Sequence, residues 1–308
     1  MRQRIILPTL AVAGVAALAL TGCSGGSGSD SGSGSDSDGA ITVVASTNVY
    51  GSIVKTIGGD NVDVTSILTD PSQDPHSFEA SSRTQLAVSK ADILVENGGG
   101  YDDYMDTLRN ASNTDATLVN VVKLSGLQKA GQDEFNEHVF YSYPTMVKFV
   151  DAIESDLTKV DSSAADTFKD NADALKTKLQ KLEDETAALK EQHDGEKVAY
   201  TEPVPGYLFD AIGLVNSTPE DFAEAIEEGD DVPPAALNDT LKLFSGSDAV
   251  KLLAYNNQAS SPETEQVEQA AKDAGVPVVG VTETLPEGKG YIAWQQSNID
   301  AISAALGE

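Results

Sequence analysis

AADTFKDNADALKTKLQKLEDETAALKEQ, residues 164–192, is the stretch of sequence that decides the fold. It contains neither proline nor glycine, and apolar or small residues recur within it at alternating spacings of four and three. The recurring residues are Phe168, Ala172, Leu175, Leu179, Leu182, Thr186 and Leu189. This spacing predicts one long helix with a single buried face, ended by Gly195. The stripe is short and contains Ala and Thr, which disfavours a coiled coil, so we expect a helix running along two lobes.

On both sides of this helix, short β-branched runs alternate with helical stretches. The predicted strands are residues 41–47, 62–68, 93–96, 118–122, 197–201, 252–255 and 276–281, and predicted helices include 49–57, 82–89 and 104–111. Strands that alternate with helices indicate parallel sheets. The sequence therefore predicts an α/β fold with two lobes, each a mostly parallel sheet flanked by helices, joined by one long helix. The predicted domains are residues 40–163, the connecting helix 164–192, and residues 193–308.

Length and charge limit the classes of function. With 308 residues the chain can form two domains. Its 49 acidic and 20 basic residues give a formal net charge of −29. Such a chain repels nucleic acid and anionic lipid headgroups, so we expect neither as a partner. The acidic residues are dispersed, and their main effect is to keep the protein in solution.

The N-terminus has the plan of an export signal. Arg2 and Arg4 precede a mostly apolar stretch, residues 5–20, that is short for a membrane-spanning helix. The sequence Leu20-Thr21-Gly22-Cys23 follows, and this ending resembles the cleavage box of bacterial lipoproteins. We therefore predict a signal peptide at residues 1–22, a lipid on Cys23, and a Ser/Gly/Asp linker over residues 23–39. The alternatives are an ordinary signal peptide or a membrane anchor with a free cysteine.

Two histidines and two glutamates lie at or just beyond the ends of predicted strands. They are His76, His138, Glu202 and Glu283. In α/β domains ligands bind at the carboxyl ends of the strands, and two imidazoles with two carboxylates suit one divalent transition metal ion. The structural alternatives are a loop histidine at position 76 and a capping or core-edge histidine at 138. For Glu202 the alternative is an N-cap or a salt bridge between the lobes, and for Glu283 an unremarkable glutamate at the end of a strand.

Other signals are weaker. His193 follows the long helix in a polar stop sequence, and we expect it to be exposed and without function. Residues 227–231 could attract calcium, but they lack the ligand alternation of a calcium loop and are interpreted as a solvated acidic turn. Phe140, Tyr141 and Tyr143 follow His138 and could form a dry wall around a metal ion. No phosphate-binding loop and no nucleophile elbow occur in the sequence.

Several motifs, taken in order, resemble those of the metal-binding lipoproteins of bacterial ABC importers, the zinc/manganese receptor family. The resemblance runs from about residue 41 to the C-terminus. It is carried by Asp74-Pro75-His76, Ala91-Asp92-Ile93-Leu94-Val95-Glu96-Asn97-Gly98, Asn136-Glu137-His138 with Tyr143-Pro144, the long helix, and Gly206-Tyr207 with Gly213-Leu214. The family has an acidic fourth ligand, usually Asp, where this chain has Glu283. Many zinc-binding members carry a histidine where this chain has Glu202, and their His-rich loop is missing here.

The resemblance implies a receptor, not an enzyme. Such a protein captures one divalent transition metal ion, Mn, Zn or Fe, and delivers it to an ABC permease and its ATPase. Two carboxylates favour Mn²⁺ or Fe²⁺ only weakly, so zinc stays open. We expect a monomer that its lipid anchors at the outer face of the cytoplasmic membrane. The alternatives are a secreted metal-dependent hydrolase, which would keep an open metal position for water, and a receptor for an organic solute.

Overall fold

The computed structural model describes residues 39–70, 73, 75–76, 78–79, 81–129 and 135–307. Residues 39–308 form one unit by themselves. The predicted signal peptide, Cys23 and the linker as far as residue 38 lie outside the described residues. Within the part of the chain that is described, no helix combines the length and the apolar character needed to cross a membrane.

The first half of this unit is built on a sheet of four parallel strands. The strands are β1 (Ile41–Thr47), β2 (Val62–Leu68), β3 (Ile93–Glu96) and β4 (Thr117–Asn120). Their order is β2-β1-β3-β4, and every neighbouring pair is parallel. All four strands therefore end at the same edge of the sheet, where loops can bring polar side chains together.

The second half repeats this plan. Its strands are β5 (Lys197–Tyr200), β6 (Val215–Asn216), β7 (Leu253–Asn256) and β8 (Val278–Val281). They are also parallel, in the order β6-β5-β7-β8. Strand β7 thus lies between β5 and β8. The segments that follow β5 and β8 are therefore one strand apart.

Helices cover the sheets. In the first half they are α1 (Asn48–Gly58), α2 (Ser82–Val88), α3 (Tyr104–Ser112), α4 (Val121–Ser125) and α5 (Tyr143–Val160). Helix α6 (Ala165–His193) connects the halves, and α7 (Gly206–Ile212), α8 (Glu220–Glu227), α9 (Pro234–Lys242), α10 (Pro262–Asp273) and α11 (Tyr291–Leu306) follow. Short 3₁₀ turns occupy Gly59–Asn61, Val139–Tyr141 and Ser162–Ala164.

Helix α6 is the longest element described, with 29 residues. All seven residues of its predicted stripe are buried. The same apolar cluster takes in residues of both sheets, such as Val43 and Val198, so α6 packs into a core that is continuous between the halves. The predicted two-lobed α/β architecture with one connecting helix is confirmed.

Some predicted boundaries are wrong. The run at residues 118–122 is not all strand, because Asn120 ends β4 and caps α4, accepting a hydrogen bond from the backbone N–H of Lys123 at 2.8 Å. The two-residue strand β6 and helices α7 to α11 were not predicted. His193 is also not exposed: it continues the buried stripe of α6, four residues after Leu189, and is 9% exposed.

Candidate metal centre

His138 is held in one orientation by Asn136. The side-chain nitrogen of Asn136 donates to the carbonyl of Pro203 at 2.9 Å, so its Oδ1 is the atom that faces His138. This oxygen accepts from the backbone N–H of His138 at 3.0 Å and lies 2.9 Å from Nδ1 of the ring. An amide oxygen can only accept, so Nδ1 carries a proton. In the neutral ring, the lone pair is then on Nε2, the arrangement that histidine ligands of metals adopt.

The carboxylate of Glu283 faces this second ring nitrogen of His138. Its Oε2 lies 3.5 Å from Nε2 of His138, longer than an ordinary hydrogen bond, and both residues are almost fully buried. Burial alone would raise the pKa of Glu283, but its interaction with His138 and the hydrogen bond from Asn256 lower it below its usual value. The structure thus joins a ligand candidate from the first half of the chain to one from the second.

More carboxylates lie near His138 than the residues next to it in the sequence indicate. Burial would lower the pKa of His138, but the Glu283 carboxylate and the negative charges of Glu137 and Glu227 outweigh this effect and raise it to about 9. The surrounding acidic groups therefore favour the protonated ring. A metal ion that binds at Nε2 must displace this proton and takes the place of the positive charge.

His76 lies in the same region. Its ring packs edge-on against Tyr101 with centroids 5.3 Å apart, and its centroid is 6.4 Å from that of His138. Its Nε2 lies 3.5 Å from a carboxylate oxygen of Glu137. The side chain is 20% exposed, so it lies between the buried His138 and solvent. The structure therefore places His76 and His138 close together.

Glu202 is linked to Glu283 through hydrogen bonds from Asn256. The Nδ2 of Asn256 donates to Oε2 of Glu202 and, at 2.8 Å, to Oε1 of Glu283. All three side chains are buried. The two predicted carboxylates therefore lie beside each other, at the ends of β5 and β8. Sequence reasoning missed Asn256, although it lies at the end of a predicted strand.

Glu227, the last residue of α8, is a further acidic group that sequence reasoning missed. One of its oxygens lies 3.7 Å from Nδ1 of His138, and it can share a metal ion with His76 and His138, since one ligand atom from each lies within 4.8 Å of the others. Burial raises the pKa of Glu227 to about 9; the charges of Glu137 and Glu202 act in the same direction, and that of His138 opposes them. The interpretation of residues 227–231 as a solvated turn is therefore wrong for its first member.

A cavity of about 630 Å³ leads to this cluster from solvent. Its lining includes His76, Glu137, Glu227 and the more exposed Glu224 and Glu228. A cleft lined by one sign of charge raises the local concentration of the opposite ion. The entrance therefore favours the approach of cations.

Aromatic rings shield the inner side of the site. Tyr101 and Phe140 each lie 5.7 Å from the ring of His138, centroid to centroid, in edge-on contact. The predicted wall of Phe140, Tyr141 and Tyr143 is wrong in part, because Tyr141 packs on Phe140 and Trp294 instead of on His138. Tyr143 donates a hydrogen bond to Gln295. Tyr101 was missed, since it is remote in sequence from both histidines.

The motif at the end of β3 positions the loop that carries His138. The backbone N–H groups of Asn97 and Gly98 donate to the buried carboxylate of Asp102 at 2.7 and 2.8 Å. The side-chain amide of Asn97 donates to the carbonyl of Glu137 at 3.0 Å. Gly98 has a φ of 75°, and a Cβ there would lie 2.3 Å from the Asn120 side chain, so this position requires glycine.

Four tyrosine hydroxyls join the two halves around the site, and each donates to a backbone carbonyl. Tyr141 donates to Thr282 at 2.8 Å, Tyr291 to Phe140 at 2.7 Å, Tyr207 to Asn136 at 2.6 Å and Tyr101 to Glu283 at 3.4 Å. These carbonyls belong to the segments that carry His138 and Glu283. The backbone of both segments is therefore fixed without using the side chains of the candidate ligands.

Comparisons with known proteins agree with this architecture. The manganese-binding lipoprotein MntA of Bacillus subtilis (strain 168) is 31% identical over 188 residues, which are 59% of this chain and 58% of that protein. The iron ABC transporter substrate-binding lipoprotein MtsA of Streptococcus pyogenes serotype M1 is 24% identical over 86% of this chain and 89% of its own length. Among solved structures, the periplasmic zinc binding protein TroA from Treponema pallidum is similar with a TM-score of 0.73 and 20% identity, covering 88% of this chain and 100% of TroA.

The similarity extends to a whole protein family. Residues 43–305 match the family described as ZnuA, zinc-uptake complex component A periplasmic. This segment takes in both sheets, the connecting helix and all four ligand candidates. The chain therefore belongs to the ZnuA family of periplasmic zinc-uptake components.

Proposed function

We propose that the protein is a lipid-anchored, extracytoplasmic substrate-binding protein that captures one divalent transition metal ion and delivers it to an ABC importer. His76 and His138 from one lobe and Glu202 and Glu283 from the other bind the ion, and Glu227 is close enough to take part. The lobes are residues 40–163 and 193–308, connected through residues 164–192. The two carboxylates would balance the charge of a buried dication, and the imidazoles would bind it in their neutral form.

The orientation of His138 is the observation that carries this proposal. Its protonated Nδ1 donates a hydrogen bond to Asn136, and its Nε2 faces a carboxylate from the other lobe. A histidine that served only the core would not need a buried carboxylate at its remaining nitrogen. An ion between Nε2 and Glu283 would join the two lobes directly.

The chemistry of the ligands fits several metals. Imidazole suits Zn²⁺ and Fe²⁺, whereas carboxylate oxygens suit Mn²⁺. The names of the related proteins cover the same range, since they specify manganese, iron and zinc. We therefore propose a first-row divalent ion as the substrate.

Metal analysis of purified residues 39–308 tests the function. We expect one equivalent of Mn, Fe or Zn per chain, and a large rise in Tm when the stripped protein receives the preferred ion. An ion at a free concentration 100-fold above its Kd stabilises the folded state by about 2.7 kcal/mol. Absence of bound metal, together with an unchanged Tm for all three ions, would contradict the proposal and favour an organic solute.

Cys23→Ser tests the anchor. The serine hydroxyl cannot carry the thioether-linked lipid expected at this position, so we expect the full chain to pass from the membrane fraction to the soluble fraction of the cell envelope. Metabolic labelling with a radioactive fatty acid should fall to background. The matched control is Ser24→Ala, which changes a neighbouring side chain and should keep the label. Continued labelling of the Cys23→Ser chain would exclude Cys23 as the anchor.

The proposed partners are the membrane permease and the ATPase of an importer. Their class follows from the relatives, one of which is named as the substrate-binding lipoprotein of an ABC transporter. The related proteins are named for binding rather than for catalysis, which supports a receptor. That the chain has no enzymatic activity, binds no nucleic acid and is monomeric stays a prediction from the sequence.

A further inference from the structure

Asn256 occupies the central position among the carboxylates of the second lobe. It ends β7, and β7 lies between β5, which precedes Glu202, and β8, which precedes Glu283. Its side chain has no solvent exposure. The order of the strands therefore places one amide group between the two carboxylates proposed to bind the metal.

The orientation of this amide is fixed on every side. Its Oδ1 accepts from the backbone N–H of Gln258 at 3.0 Å, so Nδ2 must face the carboxylates. The backbone N–H of Asn256 donates to the hydroxyl of Thr201 at 3.0 Å, which ties β7 to the end of β5. The two N–H bonds of Nδ2 go one to Glu202 and one to Glu283. Turning the amide over would lose all three side-chain hydrogen bonds.

Gln258 extends this arrangement to the loop that carries His76. Its Oε1 accepts from the backbone N–H of Glu283 at 2.6 Å, and its Nε2 donates to the carbonyl of Gln73 at 3.1 Å. The polar groups that follow β7 thus hold both the position of Glu283 and the neighbouring loop of the first lobe. Asn256 acts on carboxylates whose backbone is already fixed.

A carboxylate oxygen that accepts a hydrogen bond is a poorer ligand for a metal ion than one that accepts none. The donor of Asn256 occupies Oε1 of Glu283, and the remaining Oε2 faces Nε2 of His138 at 3.5 Å. Glu202 likewise has its Oε2 occupied by Asn256. The hydrogen bonds from Asn256 thus disfavour binding of a metal ion through both oxygens of either carboxylate.

The number of oxygens offered bears on the choice of metal. Zn²⁺ is satisfied by four ligands, whereas Mn²⁺ prefers six-coordinate sites rich in oxygen. We propose that Asn256 is a specificity-determining residue, whose amide restricts Glu202 and Glu283 to one-oxygen binding and so favours Zn²⁺ over Mn²⁺. This inference rests on the proposed function, because it takes both glutamates as ligands.

Asn256→Ala tests the inference in residues 39–308. The Kd values for Zn²⁺ and Mn²⁺ are measured by competition with a chelator, in the wild type and in the variant. Groups that support metal ligands typically change affinity 10- to 100-fold, so we expect the ratio of zinc affinity to manganese affinity to fall about tenfold or more. The matched control is Asn257→Ala, the same change at the adjacent exposed residue, which should leave the ratio at its wild-type value.

Cobalt provides a readout that a general loss of structure would not imitate. Bound Co²⁺ absorbs visible light more strongly with four ligands than with six, so Asn256→Ala should weaken the absorption per bound ion. If the alanine variant does not fold, Asn256→Leu is measured instead. Leucine fills the space of the asparagine side chain but has no hydrogen-bond donor. A ratio of zinc to manganese affinity that stays at its wild-type value, even when both affinities fall, would overturn the inference. An unchanged cobalt spectrum would do the same. If the wild type binds no metal, the proposed function fails first and the inference fails with it.

Discussion

His138→Ala is expected to lower the affinity for the preferred metal ion by a factor on the order of 1000, which corresponds to about 4 kcal/mol. The substitution removes the Nε2 that faces Glu283 and leaves several buried carboxylates without a positively charged neighbour. Competition with a chelator gives the Kd, and the rise in Tm on adding metal should disappear. The stripped variant should still unfold cooperatively, because the core of the two lobes does not depend on this ring.

His193→Ala is the matched control, since it removes the remaining histidine of the chain. Nδ1 of His193 lies 3.2 Å from Glu196 at the end of α6, in a contact that involves none of the candidate ligands. We expect this variant to keep the wild-type Kd. If His138→Ala keeps a Kd within threefold of the wild type, His138 is not a ligand. If both variants lose binding together, the loss has a structural cause.

Leu179→Ala is expected to destabilise the stripped protein by about 2–5 kcal/mol. Leu179 has no exposed surface and lies in the middle of α6, in the cluster that contains residues of both sheets. The cavity left by the substitution would therefore weaken the packing of both lobes at once. Urea unfolding followed by circular dichroism should show one transition with a lower midpoint and an unchanged slope.

Lys178→Ala is the control on the same helix, because its side chain is exposed. Substitutions at such positions usually change the free energy of unfolding by no more than about 0.5 kcal/mol. Two separate transitions in Leu179→Ala, of which only one shifts, would contradict a shared core. The lobes would then unfold independently, with α6 belonging to one of them.

Much of the fold could be predicted because local patterns and tertiary contacts agree. Strands β1, β2 and β3 begin and end at the predicted residues. β1 and β3 are runs that become almost fully buried, whereas β2 is rich in β-branched residues but is buried only at its two ends. The predicted long helix is displaced by one residue at each end. Its stripe already pointed to His193 as buried, because that residue continues the spacing after Leu189.

The elements that were missed lack a local signal or have a competing one. Val121 and Val122 favour a strand by their branching, yet the capping side chain of Asn120 starts a helix there. Strand β6 has only two residues, and its pairing with β5 is what makes it a strand. Such contacts bring together residues that are distant in sequence, so a pattern along the chain does not contain them.

Some residues of the candidate site can likewise be recognised from the sequence, and others cannot. His76, His138, Glu202 and Glu283 stand out by residue type and by their place after strands, whereas Glu227 is one of many glutamates in an acidic stretch. Its approach to His138 depends on where α8 ends relative to the other lobe. Asn256 could have been found only from the order of the strands, which places β7 between β5 and β8.

The hydrogen bonds that the tyrosines donate to backbone carbonyls have a consequence for how such proteins diverge. Every residue type has a backbone carbonyl, so Tyr141 and Tyr101 can hold Thr282 and position 283 whatever side chains those positions carry. If Glu283 binds the metal ion as proposed, a mutation at this position can then alter the metal preference without separating the lobes. Descendants of one ancestral receptor could in this way change their metal by single substitutions, each retaining a folded protein on which selection can act.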